Sequence, residues 1–227
     1  MNPRSPLETE ILFRVGSIPI ARPVVTTSAI VLFLGLLSWA STRRLKARPS
    51  RWQAALEAVV AQVSDQVREI VGRDPAPFLP LLGTLFLFIL VANLSGLLPG
   101  VKAPTASLET PAALAIVVFL SAHVYGVRER GLKRYLASYL KPNPLMLPLN
   151  VLSEITRTFS LMVRLFGNMM SHELVIGVVA TIAGLLVPIP FMALGLLVGV
   201  IQAYIFSILA TVFVGAAVGA AEKGSPP

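Results

Sequence analysis

Four stretches of the chain carry no Asp, Glu, Lys or Arg: residues 23–42, 75–101, 110–127 and 174–221. A helix that crosses a bilayer needs about 20 mostly apolar residues, so several crossings fit. The pattern predicts a first span over 24–40, a second over 78–98 that stops at the turn pair Pro99-Gly100, and a third over 112–127. Residues 52–72 read differently. Leu56, Val59, Val60, Val63, Val67, Ile70 and Val71 keep i, i+3, i+4, i+7 spacing, while Gln53, Glu57, Gln62, Asp65, Gln66, Arg68 and Glu69 fill the remainder. This is an amphipathic helix, placed at the cytoplasmic interface of a membrane; packing against a soluble partner is the alternative.

Between Pro148 and Pro188 there is no proline, and glycine occurs only at 167, 177 and 184. One helix is predicted over 148–187. At about 39 residues it would be roughly 58 Å long, against about 40–45 Å for a bilayer with its headgroups. It must tilt strongly or protrude. Pro188-Ile189-Pro190 is expected to force the turn into a second long helix over 191–221. Residues 1–22, broken by Arg4, Glu8, Glu10 and Arg14, read as a short, partly helical external segment and not as a signal peptide. The expected fold is all-α. It is a single polytopic membrane domain over 1–227 with five membrane helices, the last two a long tilted hairpin, plus the interfacial helix.

Composition agrees. Hydrophobic residues make up 55% of the chain and charged residues 13%, where a soluble domain carries about 25% charged. That excludes a soluble enzyme and a disordered chain. The net charge of +8 invites nucleic acid, but the cations sit in two clusters: Arg43, Arg44, Lys46, Arg48 and Arg51, then Arg128, Arg130, Lys133, Arg134 and Lys141. Each cluster follows an apolar run, which is the topology signal of membrane helices. The partner implied is the lipid bilayer, with no nucleic acid. Both basic loops then face the cytoplasm, the N-terminus and the loop 101–111 lie outside, and the C-terminus lies inside. There is no cysteine, and His123 and His172 lie far apart in sequence, so neither a metal nor another cofactor is expected. The absence of an internal repeat weighs against common secondary-transporter folds.

With charge so scarce, polar groups on the long hairpin carry the candidate chemistry. A charge at the bilayer centre costs at least about 2.5–3.5 kcal/mol. Glu154 and Arg157 stand near the cytoplasmic start of the first long helix, where snorkelling or a structural ion pair is the plain alternative. Arg164 lies about 15 Å further along, too deep to snorkel easily. Asn168 follows at i+4 on the same face. His172 and Glu173 come next; Glu173 is about 13.5 Å beyond Arg164 and points to the opposite side of the helix. Gln202 and Tyr204 lie on the second long helix, and His123, in the third span, reads as structural. A fixed cation at mid-depth with carboxylates offset to either side suits an ion path. The arginine never loses its proton, so it cannot relay one, but it can keep a passing carboxylate ionised. The chain holds no second carboxylate placed to pass it, so that group belongs to a partner.

These residues carry a family resemblance. Phe159–Leu174, FSLMVRLFGNMMSHEL, resembles the SLxLRLFGNxxxGEL signature of the F-type ATP synthase membrane subunit a. FLPLLGTLFLFILVANLSGLLPG (78–100), PTASLETPAALA (104–115) and IQAYIFSIL (201–209) resemble its second span, its PTADxNTTLALA segment and its last helix. The resemblance implies a stator subunit with two ion half-channels that couple proton or sodium movement to rotation of a ring of c subunits. Arg164 matches the arginine facing the ring, Asn168 the Asn one turn on, Glu173 the acidic group of the external half-channel, and Gln202 the last-helix glutamine. Glu154 and Arg157 match polar positions at the cytoplasmic end, and Asn93 the Asn of the second span. Implied partners are the c-ring, peripheral-stalk subunit b and the rest of the synthase, in a bacterial inner membrane. The short N-terminus and compact loops suggest a streamlined, N-type operon variant. Departures are Ser107 and Glu109 in the PTAD segment, His172 for the signature glycine, and Gly195 for an acidic or His position on the last helix. His172 is therefore a candidate replacement for the group missing at Gly195. A stand-alone proton-coupled transporter or channel would explain the intramembrane charges, but needs a cavity of its own. No HExxH or Ser/His arrangement supports an intramembrane enzyme, and no GxxxxGK[ST] loop supports nucleotide binding.

Overall fold

A computed structural model describes residues 11–15, 18–43, 51–97, 101–140, 143–184 and 187–219. Among them a short antiparallel hairpin, β1 (Ile11–Val15) and β2 (Ile18–Ala21), leads into seven α-helices. These are α1 (Arg22–Thr42), α2 (Arg51–Val71), α3 (Leu79–Ser95), α4 (Glu109–Arg130), α5 (Leu132–Tyr139), α6 (Leu147–Ala183) and α7 (Pro188–Val218). Single 3-10 turns at Pro104–Ala106 and Pro144–Met146 precede α4 and α6. The fold is helical as expected, with one correction. The segment read as partly helical is strand from Ile11 to Val15 and from Ile18 to Ala21, where Gly16-Ser17 between two apolar runs is a hairpin signal. Residues 1–10 lie outside the described part.

The helices α1, α4, α6 and α7 are long and apolar enough to cross a membrane. α3 has 17 residues. Backbone bonds from Phe78 and Leu79 to the Pro75 carbonyl, and from Leu97 to Leu94, add a turn at each end. In α1 only Ile30 is buried and most of the other side chains are exposed, as in a helix whose surroundings are apolar on all sides. The Arg43 guanidinium stacks 3.7 Å over the ring of Trp39. A cation folded onto an aromatic at the end of an apolar helix suits an interfacial belt.

The expected break at Pro188-Ile189-Pro190 lies slightly earlier. α6 ends at Ala183, and Gly184 adopts φ +78°, a conformation glycine takes without a Cβ penalty. The prolines fall in the first turn of α7, where the missing N–H groups would have had no helical acceptor anyway. α5, amphipathic and eight residues long, was not foreseen; the basic cluster concealed it.

Two compact units make up the chain: Met1–Arg48 with Leu87–Pro111 and Leu165–Ala203, and Pro49–Phe86 with Ala112–Arg164 and Tyr204–Pro227. In the first, Ile89, Ala92, Ala103, Leu165, Met169 and Ala203 form the core. In the second, α2 buries Val63, Val67 and Val71, and Phe78, Leu82, Val118, Leu161, Phe206, Ala210 and Val214 are buried as well. The apolar face of α2 is thus largely occupied by its own chain over its last two turns. Along α7 small residues recur at every fourth buried position, Gly195, Gly199, Ala203, Ser207, Thr211 and Gly215, and Gly219 just past the helix continues the period. Small side chains let helix backbones approach closely, the usual basis of packing where no hydrophobic effect drives helices together.

Candidate ion-translocation site

Arg164 sits in the middle of α6 with its side chain exposed, between exposed Val163 and buried Leu161 and Leu165. Among the described residues it forms no hydrogen bond or ion pair. Phe159 and Val163 are also open on this helix. The guanidinium therefore lies on a largely apolar surface of the helix.

The first unit holds five of the expected residues in four places. Asn168 Nδ2 donates to Gln202 Oε1 at 2.6 Å. Gln202 is buried, and its Nε2 has no partner among the described residues, so both N–H donors of this amide are unused beside Asn168. Asn93 is buried and bonded on both ends of its amide: Nδ2 donates to the Gly199 carbonyl at 2.9 Å, and Oδ1 accepts from Thr105 Oγ1 at 2.8 Å. A Cβ on Gly199 would stand 3.1 Å from that of Asn93, so the glycine makes room for the pair. Glu173 Oε1 accepts the Ala103 N–H at 2.9 Å, which joins α6 to the loop ahead of α4. Lys102, beside Ala103, is the cation acting on this carboxylate. His172 lies against Gly195, where a Cβ would run into its imidazole ring. Two departures that are separate in sequence thus meet in space.

The second unit holds a further cluster. Glu154 Oε2 accepts from Tyr139 Oη at 2.5 Å, and Tyr139 Oη is 2.9 Å from Tyr135 Oη. The other carboxylate oxygen, Oε1, is 3.6 Å from His123 Nε2. Burial, and for Tyr139 the bond to Glu154, raise the proton affinity of both phenols above the usual tyrosine range, so they remain donors at neutral pH. Glu154, Tyr135 and Tyr139 line a cavity of about 320 Å³ together with Arg130, Arg157, Asn150 and Ser153. His123, read as merely structural, contacts a candidate site residue. Nothing in the spacing announced this, because α5 and α6 had to fold before His123 and Glu154 could meet.

The chain matches the model of the ATP synthase A chain family over residues 23–215. It belongs to that family. It is 60% identical over 220 residues to ATP synthase subunit a 2 of Bradyrhizobium sp., covering 97% of this chain and 99% of the relative. It is 46% identical over 217 residues to ATP synthase subunit a 1 of Chlorobaculum parvum, covering 95% and 96%. Over 209 residues it is 46% identical to ATP synthase subunit a of Nitrosospira multiformis, covering 91% and 83%. The ATP synthase A chain family was the one expected from RLFGN, and membership favours a synthase component over a stand-alone transporter or channel.

Proposed function

We propose that this chain is the membrane stator subunit of a rotary ATP synthase, and that Arg164 is the group past which the rotor carboxylates move. The observation that carries the reading is the exposed, partnerless guanidinium at the centre of α6. A charge left open on an apolar helix is costly in lipid. The cost disappears if a ring of small hairpin subunits presents a carboxylate to it. An ion entering from the outer face near Glu173 neutralises that carboxylate, which can then turn through lipid. After nearly a full turn it releases its ion on the cytoplasmic side, near Glu154 and Arg157. Arg164 keeps the passing carboxylate ionised and blocks direct leakage between the two paths. The driving force is about 2.3 kcal/mol per charge per 100 mV, plus the chemical gradient.

Asn168 and Gln202 line the approach beside the arginine, Asn93 holds the second span against the last helix, and His172 takes the place of the group missing at Gly195. Five crossings complete the arrangement, α3 with its added turns serving as the second. α6, at 37 residues roughly 55 Å long, tilts to follow the curved outside of the ring. The ring and peripheral-stalk subunit b are the partners. The membrane is the bacterial inner membrane, with the N-terminus outside and the C-terminus in the cytoplasm.

Arg164→Ala tests this. The variant complex should assemble and co-purify with its ring, yet lose coupled ion transport. Arg164→Lys should also be poor, because a compact ammonium replaces a planar fork. Retained ATP-driven pumping in Arg164→Ala would sink the mechanism.

A further inference from the structure

We propose that Glu154, on the wall of the cavity lined by α4, α5, α6 and α7, forms a one-proton exchange site with His123, whose Nε2 is 3.6 Å from its carboxylate. The proposal rests on the stator reading above and assigns to His123 a role that its place in the third span did not suggest.

His123 Nδ1 lies 2.8 Å from the Phe119 carbonyl. A carbonyl only accepts, so Nδ1 carries the hydrogen, and the neutral ring presents a lone pair at Nε2. That nitrogen faces Glu154 Oε1 at 3.6 Å. An ionised carboxylate oxygen is also an acceptor. Two acceptors are therefore opposed unless a proton joins them, as imidazolium beside carboxylate or as imidazole beside carboxylic acid. Both forms contain one proton. The far side of the carboxylate is already occupied, since Tyr139 donates to Oε2 and, its hydrogen being committed, accepts from Tyr135. Tyr139 is thus a positioning residue that holds Oε1 toward His123. The ring of Phe119, 4.3 Å from that of His123, and the edge of Tyr135, 5.9 Å away, fix the imidazole plane.

The other charged groups of the cavity are Arg130 on α4 and Arg157 on α6, while α7 contributes Phe213 and alanines, none of them titratable. Both arginines line the same cavity as the Glu154 carboxylate. The transfer is balanced. A proton from water in the cavity binds the empty pair, whose charge goes from −1 to 0, and leaves again as an N–H or O–H bond breaks. In the stator this supplies a loading and release point between the cytoplasm and the rotor carboxylate.

The test uses the assembled complex in inverted membrane vesicles, whose outer bath is the cytoplasmic side. ATP-driven pumping is measured against bath pH for the unaltered protein, His123→Gln, Glu154→Gln and the double variant. Each single change should move the alkaline limb of the profile toward lower pH by about one pH unit, because the remaining partner must hold the proton alone. The double variant should show no alkaline limb of its own beyond that of the singles. A His123→Gln profile of unchanged shape, whatever its height, means a structural role and overturns the proposal. A double variant shifted by the sum of the singles means two independent groups and overturns it as well. If His123→Gln fails to assemble, Glu154→Gln carries the same expectation. Arg164→Ala vesicles separate the two levels: pumping that survives there sinks the stator reading, whereas pumping that requires Arg164 beside an unmoved profile sinks only the pair.

Discussion

His172 and Gly195 show how one exchange of residues can be split across two helices. The imidazole fills the space that a side chain on Gly195 would need, so the two positions admit one bulky group between them. A histidine at 195 in the presence of His172 would force the α6–α7 contact in this unit apart. The expected outcomes differ accordingly. His172→Ala should lower pumping several-fold and change its pH profile. Gly195→His alone should destabilise the subunit by about 1–3 kcal/mol through overpacking. The double exchange His172→Gly with Gly195→His should recover both stability and most of the transport. An unchanged rate and pH profile in His172→Ala would remove His172 from the proton path. At this scale the sequence pointed to candidates wherever a charge interrupts an apolar run, as for Arg164 and Glu173. It was silent where the residue is ordinary: Thr105, which completes the hydrogen bonding of Asn93, and Tyr139, which completes that of Glu154, are common polar residues without distinguishing spacing.

Helix α7 packs through the four-residue recurrence of small residues from Gly195 to Gly215, a period that was readable but masked by the uniform apolarity around it. Apolar runs identify a span, yet say little about which side of it is buried, because lipid and protein interior are equally apolar. Ala203 is fully buried and Leu197, six residues earlier, is 57% exposed. Ala203→Leu should therefore cost about 1–3 kcal/mol, while Leu197→Ala should stay within about 0.5 kcal/mol, both measured as thermal unfolding of the purified complex in detergent. Equal effects would mean that the small stripe does not carry the packing. Helix ends were less legible than helix bodies for a related reason. Pro188 and Pro190 signalled a break, but a proline early in a helix is free of cost, and the reversal fell to Gly184, which looked like any other glycine in an apolar run.

For the whole molecule, the proposed function depends on direction: it requires Glu173 to face one compartment and the cavity at Glu154 the other. The two basic clusters argue for the direction, since Arg43 to Arg51 and Arg128 to Lys141 follow α1 and α4, whose C-terminal ends should share the cytoplasmic side. The loop between α3 and α4, with only Lys102 and Glu109 charged, then faces outward. The chain contains no cysteine, so single introduced thiols report without background. Leu108, 46% exposed in that loop, and Leu136, 55% exposed on α5, are suitable sites. Leu108→Cys should react with a membrane-impermeant thiol reagent in right-side-out vesicles and be protected in inverted ones, and Leu136→Cys should behave in the opposite way. The reverse pattern would invert the whole assignment. Glu173 would then serve the cytoplasmic path, and His123 with Glu154 would exchange protons with the outer face. Labelling of both thiols from one side would instead mean that the chain does not cross between residues 108 and 136, and α4 would have to lie at the surface, contrary to its charge-free run of residues 110–127.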